Sequence, residues 1–225
     1  MVQEELTPVY FFDLDGFVHA NLFEDVNYVW EALKKINEYI KLHGKSSGYK
    51  HLGNDIYVAE DAVVEPFVNL KGPTIIGHRS EIRSGAYIRG NVIIGNNCVV
   101  RSEMKNSIMM NHSHAAHLSY IGDSIIGNHC NLGAGTILSN LRLDEGIIKV
   151  RVGEALYDTG LIKFGAILGD KTQTSCNVVL EPGTLVGRNS FLTCKYGGFL
   201  PSGKFVKAVR KEGDIEIRDN RNVYK

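Results

Sequence analysis

The sequence predicts an all-β chain wound as a parallel β-helix of hexapeptide repeats, with an N-terminal helix, an inserted loop arm and a C-terminal cap. Three observations carry the prediction. Across residues 56 to 98 and just beyond, an apolar residue returns at every sixth position: Val58, Val64, Leu70, Ile76, Ile82, Ile88, Ile94 and Val100. Two places before each stands a small or β-branched residue: Ile56, Ala62, Val68, Thr74, Ser80, Ala86, Val92 and Cys98. An echo at 18 residues overlies this, with Ala59, Gly77 and Gly95 at one corner, Lys71 and Arg89 at a second, and Arg83 and Arg101 at a third. Neither the helical period of 3.6 nor the strand period of two sets anchors six apart. A short strand plus a turn does, and three such units close a triangular coil.

In such a coil the anchors point inward and form a ladder of aliphatic side chains. Each strand pairs with its equivalents above and below, so backbone N–H and C=O groups are satisfied along the stack and only its ends stay open. The repeated cations at the corners then read as solvated edges.

Composition narrows the function classes. Of 225 residues, 44% are hydrophobic, and 25 basic residues balance 25 acidic ones, so nothing favours a nucleic acid as partner. A small anionic ligand is compatible with that balance. No run is apolar enough to span a membrane, and the opening MVQEELTPVYFF lacks the basic head and long apolar stretch of a secretory signal. Cys98, Cys130, Cys176 and Cys194 show no CxxC spacing, and the first two occupy small positions of the repeat. Buried thiols in a reducing cytoplasm are the expectation.

Taken in order, residues 1 to 53 form an N-terminal arm and helix. Val9, Tyr10, Phe11, Phe12, Leu14, Phe17 and Val18 make an apolar packing arm. Within it, FFDLDGF resembles the nucleophile loop of haloacid-dehalogenase phosphatases. That reading is set aside, because the following chain leaves no room for an alternating α/β core around Asp13 or Asp15, and a turn is expected instead. Residues 24 to 43 read as an amphipathic helix, with Val26, Val29, Trp30, Leu33, Ile36 and Ile40 on one side and Gly44 as its stop. Its apolar stripe must dock on the first coil or on a neighbouring subunit.

Residues 54 to 198 are the β-helix. Regularity fails after Val100: position 106 is Asn106, so residues 103 to 123 must be a coil of altered length or a protruding loop. The repeat resumes at Ile121, Ile126, Leu132 and Leu138. Residues 141 to 161 leave it again, the alternating IIKVRV pointing to a hairpin arm. Ile162, Leu168, Thr174, Leu180, Val186 and Leu192 restore the spacing. Residues 199 to 225 form a capping tail, with FVKAV and DIEIR reading as a hairpin around EGD.

The first interruption gathers the chemistry: Glu103, Lys105, His112, His114, His117 and Tyr120. The HxHxxH spacing matches no strong zinc signature and no cysteine lies beside it, so no metal is expected. The motifs EMKNS, AAHLSYIGD, NLGAGT and SNL resemble the acetyltransferase half of the bifunctional uridyltransferase/glucosamine-1-phosphate acetyltransferase family, whose fold is a left-handed β-helix. NLRLDEGIIKV and FGAILGD are similar to the archaeal-type sugar-1-phosphate nucleotidyltransferase/acetyltransferase. The resemblance spans roughly residues 54 to 200. The glycine-rich GxGTR loop of the nucleotidyltransferase half is not found, so no pyrophosphorylase activity is expected.

That resemblance implies an acetyl-CoA-dependent N-acetyltransferase acting on glucosamine 1-phosphate or a close amino-sugar phosphate, in cytoplasmic nucleotide-sugar biosynthesis. His117 would be the general base, a task that suits imidazole because it titrates near neutrality. Glu103 would orient the amine or the base. Lys105 and Arg89 would bind the phosphate, two cations against a dianion. Tyr120 and Asn131 would position the sugar, Asn140 would contact the substrate or CoA, and Ala134 and Cys176 the acetyl-CoA. Leu141 stands where the bacterial enzymes carry tyrosine, which leaves contacts from that loop open. A homotrimer with cosubstrate in the groove between adjacent prisms is implied. The rival expectation is a non-catalytic trimeric scaffold serving a separate nucleotidyltransferase.

Overall fold

The computed structural model describes residues 3–46, 48–208 and 214–220. The chain winds into a left-handed parallel β-helix of about eight turns. Its first face begins with Ile56–Ala59, Thr74–Ile76 and Val92–Ile94; the second with Val63–Val64, Glu81–Ile82 and Val99–Val100; the third with Asn69–Leu70 and Tyr87–Ile88. Early coils pair one residue with its equivalent eighteen later, as Ile76 with Ile94 and Ile82 with Val100. The inward anchors Ile76, Ile82, Ile88, Ile94 and Val100 are fully buried.

Corner chemistry follows from backbone geometry. Between the first and second faces, Arg79, Asn97, His112, His129, Lys171 and Asn189 all adopt positive φ, 54° to 61°, which turns the chain sharply. Two places earlier in its coil, Gly95 passes so near the next coil that a Cβ would lie 2.6 Å from Asn111 Oδ1. The recurrence of small residues at this corner is therefore steric.

The interruption after Val100 is a shortening and not a protrusion. Met104 is the anchor, paired with Ile88 sixteen residues before it and with Ile121 seventeen after. Asn106 takes the next corner at a φ of 46°. Only three residues separate the anchors Val100 and Met104 where five separate most others, so the corner between the second and third faces is cut back by two at this level.

The second interruption is a true excursion. Leu138 pairs with Leu180, so one turn is 42 residues long, and Lys149–Val152 pairs with Ala155–Asp158 as an antiparallel hairpin. Ile162 is not an anchor: it is 53% exposed. The chain re-enters through Phe164, whose N–H donates to the Asn140 carbonyl at 2.9 Å, and Gly165, whose N–H donates to the Asp123 carbonyl at 2.8 Å. Leu168 is the first anchor after it.

The helix is shorter than the apolar spacing predicts. It runs Ala32–His43, entered through a single 3-10 turn at Val29–Glu31. The Glu31 carboxylate accepts the backbone N–H groups of Asn27 and Tyr28 at 2.7 and 3.0 Å, and Asp25 sits at a φ of 56°, so residues 24 to 28 form a tight turn that no helix can pass through. Gly44 does end the helix, for a reason of contact: a Cβ there would meet the Tyr57 ring at 2.2 Å.

The helix docks neither on the first coil alone nor on a neighbour. With Leu6, Phe11, Phe12, Leu22 and Trp30 it covers the first face along the stack, packing on the outward residues Ile75, Ile93, Ile108, Ile125, Ile167 and Leu185, and Ile148 and Val150 of the excursion complete the cover. At the far end, Lys204–Ala208 continues the second face beside Phe191–Leu192 and pairs antiparallel with Ile215–Asp219. Most of the EGD turn lies outside the described residues. Among the described residues no helix is long and apolar enough to cross a membrane.

Candidate functional site on the third face and its edges

The coil register sorts the candidate residues. On the third face Tyr87, Glu103 and Tyr120 stand one above another, pointing outward, because each precedes an inward anchor. Arg89, just past its own anchor, donates from Nη1 to Glu103 Oε1 at 2.7 Å. That bond raises the Arg89 pKa further, and its guanidinium lies 5.8 Å from the Tyr87 ring centre. Lys71 donates to the Tyr87 hydroxyl at 2.8 Å.

One coil further, Lys105 lies with Nζ 3.5 Å from Asp123 Oδ2. Asp123 is 4% exposed and sits at the corner between the third and first faces. Its Oδ1 accepts from Asn106 Nδ2 at 2.9 Å and its Oδ2 from Asn140 Nδ2 at 2.5 Å. Asn140 Oδ1 in turn accepts from the Tyr120 hydroxyl at 3.3 Å. Burial raises the Tyr120 pKa, with the Asp123 and Glu103 charges adding to it. Gly122 lies beneath this bridge, where a Cβ would come within 2.7 Å of both Tyr120 Oη and Asn140 Nδ2.

His117 occupies the opposite edge of the third face, at its corner with the second. Its carbonyl accepts from Gly135 N–H at 3.0 Å, and the Ala134 carbonyl accepts from Asn177 N–H at 2.8 Å. His117, Ala134 and Cys176 thus stack at equivalent places in three consecutive turns of one edge. The imidazole is exposed and makes no side-chain hydrogen bond among the described residues. Leu118 beside it is 67% exposed at a φ of 52°. Directly below, the cut-back corner at Arg101 and Ser102 leaves a step in the edge, Leu118 N–H reaching down to the Arg101 carbonyl at 2.8 Å. Cys176 is an exposed free thiol.

Other candidates fall elsewhere. Asn131 is exposed on the second face, between His114 and Gln173. His112 lies at the corner of the first and second faces, stacked on His129 with ring centres 4.7 Å apart. His112, His114 and His117 therefore diverge to three different parts of the prism. The Asp13–Asp15 loop docks at the His112 corner, Asp13 N–H donating to Asp170 Oδ2 at 2.6 Å, and encloses a polar pocket of about 490 Å³ that shares no residue with the third face. A second pocket, about 470 Å³, lies where the excursion departs, between Ser139, Leu141, Leu143 and Val179, with Arg142 and Lys195 on its wall.

Residues 70–190 match the family described as GMPPB C-terminal domain, more than half of the chain. The chain belongs to that family. Among individual relatives, the bifunctional protein GlmU of Methanococcus vannielii is 34% identical over 201 residues, covering 84% of this chain and 46% of that protein. The bifunctional sugar-1-phosphate nucleotidylyltransferase/acetyltransferase of Sulfurisphaera tokodaii is 35% identical over 156 residues, covering 60% of this chain and 39% of its own. The chain thus spans about half the length of these curated relatives or less. A solved putative acetyltransferase from Bacillus cereus aligns over 75% of this chain and 80% of its own with a TM-score of 0.42 and 12% identity, a likeness too distant to carry function.

Within this GMPPB C-terminal domain member, Arg89, Glu103, Lys105, Tyr120 and Asn140 lie on the third face and at its corner with the first, while His117, Ala134 and Cys176 share its other edge. Asn131 stands apart on the second face. Asp123 and Asn106 are the additions that sequence reasoning missed. Their signal is a spacing of seventeen through Asn106, Asp123 and Asn140, visible only once the coils here are known to be one residue short of eighteen.

Proposed function

We propose that the chain is an acetyl-CoA-dependent N-acetyltransferase acting on an amino-sugar 1-phosphate, glucosamine 1-phosphate or a close relative, in the cytoplasm and one step from nucleotidyl transfer. The observation that carries the reading is the third face: two cations, Arg89 and Lys105, follow anchors that pair in neighbouring coils and share that face with the hydroxyl of Tyr120 and the amide of Asn140, while its other edge presents an exposed imidazole. Relatives named as bifunctional GlmU and nucleotidylyltransferase/acetyltransferase proteins support the same chemistry.

In the proposed reaction the phosphate of the sugar is held by Lys105 and Arg89, which places its 2-amino group toward His117. The amine nitrogen forms a bond to the thioester carbonyl carbon of acetyl-CoA, and the carbon–sulfur bond breaks. An unprotonated ring nitrogen of His117 takes the proton that the attacking nitrogen loses, and the departing thiolate is protonated to free CoA. Glu103, already bonded to Arg89, orients that cation and the amine. Ala134 and Cys176, stacked above His117, are proposed to line the cosubstrate.

The reading includes a homotrimer. The first face is covered by the chain's own arm, so neighbouring prisms have the second and third faces and the His117 edge to pack against. The test is thiol release across a panel of amino-sugar phosphates. His117→Ala should lower turnover by about 10²–10⁴-fold while fold and acetyl-CoA binding persist. Near-normal turnover in that variant removes His117 as base. Calorimetry that detects saturable binding of neither acetyl-CoA nor any amino-sugar phosphate supports the scaffold reading instead.

A further inference from the structure

The geometry points to Asp123 as the positioning residue of this site, the group that holds Lys105 and Asn140 in a single arrangement ready for the sugar phosphate. The inference rests on the function proposed above but concerns a side chain outside the motif roles.

Asp123 is nearly inaccessible, and both carboxylate oxygens are occupied: Oδ1 by the Asn106 amide, Oδ2 by the Asn140 amide, with the Lys105 ammonium 3.5 Å from Oδ2. Three donors converge on one anion, two from the coil before it and one from the coil after. Only a group that accepts at every lone pair can satisfy them together, which an ionised carboxylate does and an amide cannot. The consequence propagates. With its NH2 committed to Asp123, Asn140 must turn its oxygen toward Tyr120, whose hydroxyl proton is thereby spoken for, leaving the tyrosine oxygen able to accept from a sugar hydroxyl. The Lys105 ammonium is drawn to the corner but stays beyond close contact with the carboxylate, with donors to spare for a phosphate.

The backbone is pinned as well. Asp123 N–H donates to the Lys105 carbonyl at 2.8 Å and its carbonyl accepts from Gly165 N–H at 2.8 Å, so the carboxylate cannot drift. Its φ of 47° is one that aspartate and asparagine tolerate better than other non-glycine residues. Asp123→Asn is therefore a substitution the backbone accepts, in which an NH2 group replaces one of the two oxygens that face these donors.

The test is steady-state kinetics on Asp123→Asn, Lys105→Met and the double variant, with glucosamine 1-phosphate and with unphosphorylated glucosamine. Asp123→Asn should raise KM for the phosphorylated sugar by about 10- to 100-fold, leave KM for acetyl-CoA unchanged, and affect the unphosphorylated sugar far less. In the Lys105→Met background it should add no more than about twofold, because the two act as one unit. An unchanged KM for the phosphorylated sugar, equal losses with both sugars, or fully additive effects would each overturn the proposal. If Asp123→Asn fails to fold, Asn106→Ala, which frees one carboxylate oxygen, should raise the same KM several-fold, and no change there overturns it equally. Wild-type protein that transfers acetyl to no amino sugar defeats the proposed function instead. A crystal structure of Asp123→Asn then judges Asp123 alone, since Lys105 and Asn140 side chains left in place would refute the positioning role.

Discussion

His19 is one of the few ionisable side chains buried outright, 6% exposed beneath the N-terminal arm. Its Nδ1 lies 3.1 Å from the Tyr39 hydroxyl, which itself donates to Asn21 Oδ1 at 2.7 Å. Burial, with a smaller contribution from His43, lowers its pKa from 6.5 to about 4. The folded value lies below the ordinary one, so over that window the unfolded chain takes up a proton that the folded chain resists. Stability is whole above the ordinary value and falls as pH drops toward the folded one, by about 3 kcal/mol in total. Urea titrations at pH 7 and pH 4.5 should show this loss, and His19→Gln should show a shallower pH dependence. Identical slopes in the two proteins would exclude His19 as the cause. At this scale the sequence was legible where the constraint is local, as for Gly44 at the end of the helix, and illegible where partners lie seventeen residues apart, as for Asp123.

Among elements, the six-residue anchors foretold the coils, while a second pattern in the same letters, which the six-residue reading passes over, marks the covered face. First-face strands carry apolar pairs, Ile75–Ile76, Ile93–Ile94, Ile108–Met109, Ile125–Ile126, Ile167–Leu168 and Leu185–Val186, the first of each facing outward. Equivalent outward places on the third face hold Asn69, Tyr87, Glu103, Tyr120, Ile137 and Val179, polar and apolar mixed. An apolar outward residue repeated at one position in three demands a cover. The helix boundary was misread because Glu24 and Asp25 look like an acidic first turn, whereas Glu31 spends its carboxylate on the turn before the helix. Since cover and coils are separate hydrophobic clusters, the arm should loosen first. Ile36→Ala, at a fully buried position, should cost about 2–5 kcal/mol. Fluorescence of Trp30, the sole tryptophan, should then change at lower urea than the far-ultraviolet signal of the strands. Coincident transitions would mean that arm and prism unfold as one.

For the whole molecule, covering one side of a triangular prism leaves two sides and the edge between them. That edge carries His117, and exposed Phe67, Leu118 and Ile137 lie on or next to it. Sedimentation equilibrium should report a trimer, and Leu118→Arg should dissociate it and reduce turnover together. A monomer with full activity would contradict sites shared between subunits. One last property of the architecture concerns variation. The excursion departs after Asn140 and rejoins at Phe164, and the two are hydrogen-bonded neighbours in adjacent coils, while Ile126 still pairs with Leu168 as if nothing lay between. The pitch of the prism is blind to what is spliced in at that gate. Apart from Ile148 and Val150, which seal the first face, the segment can be lengthened or trimmed without renegotiating a single rung of the ladder beneath.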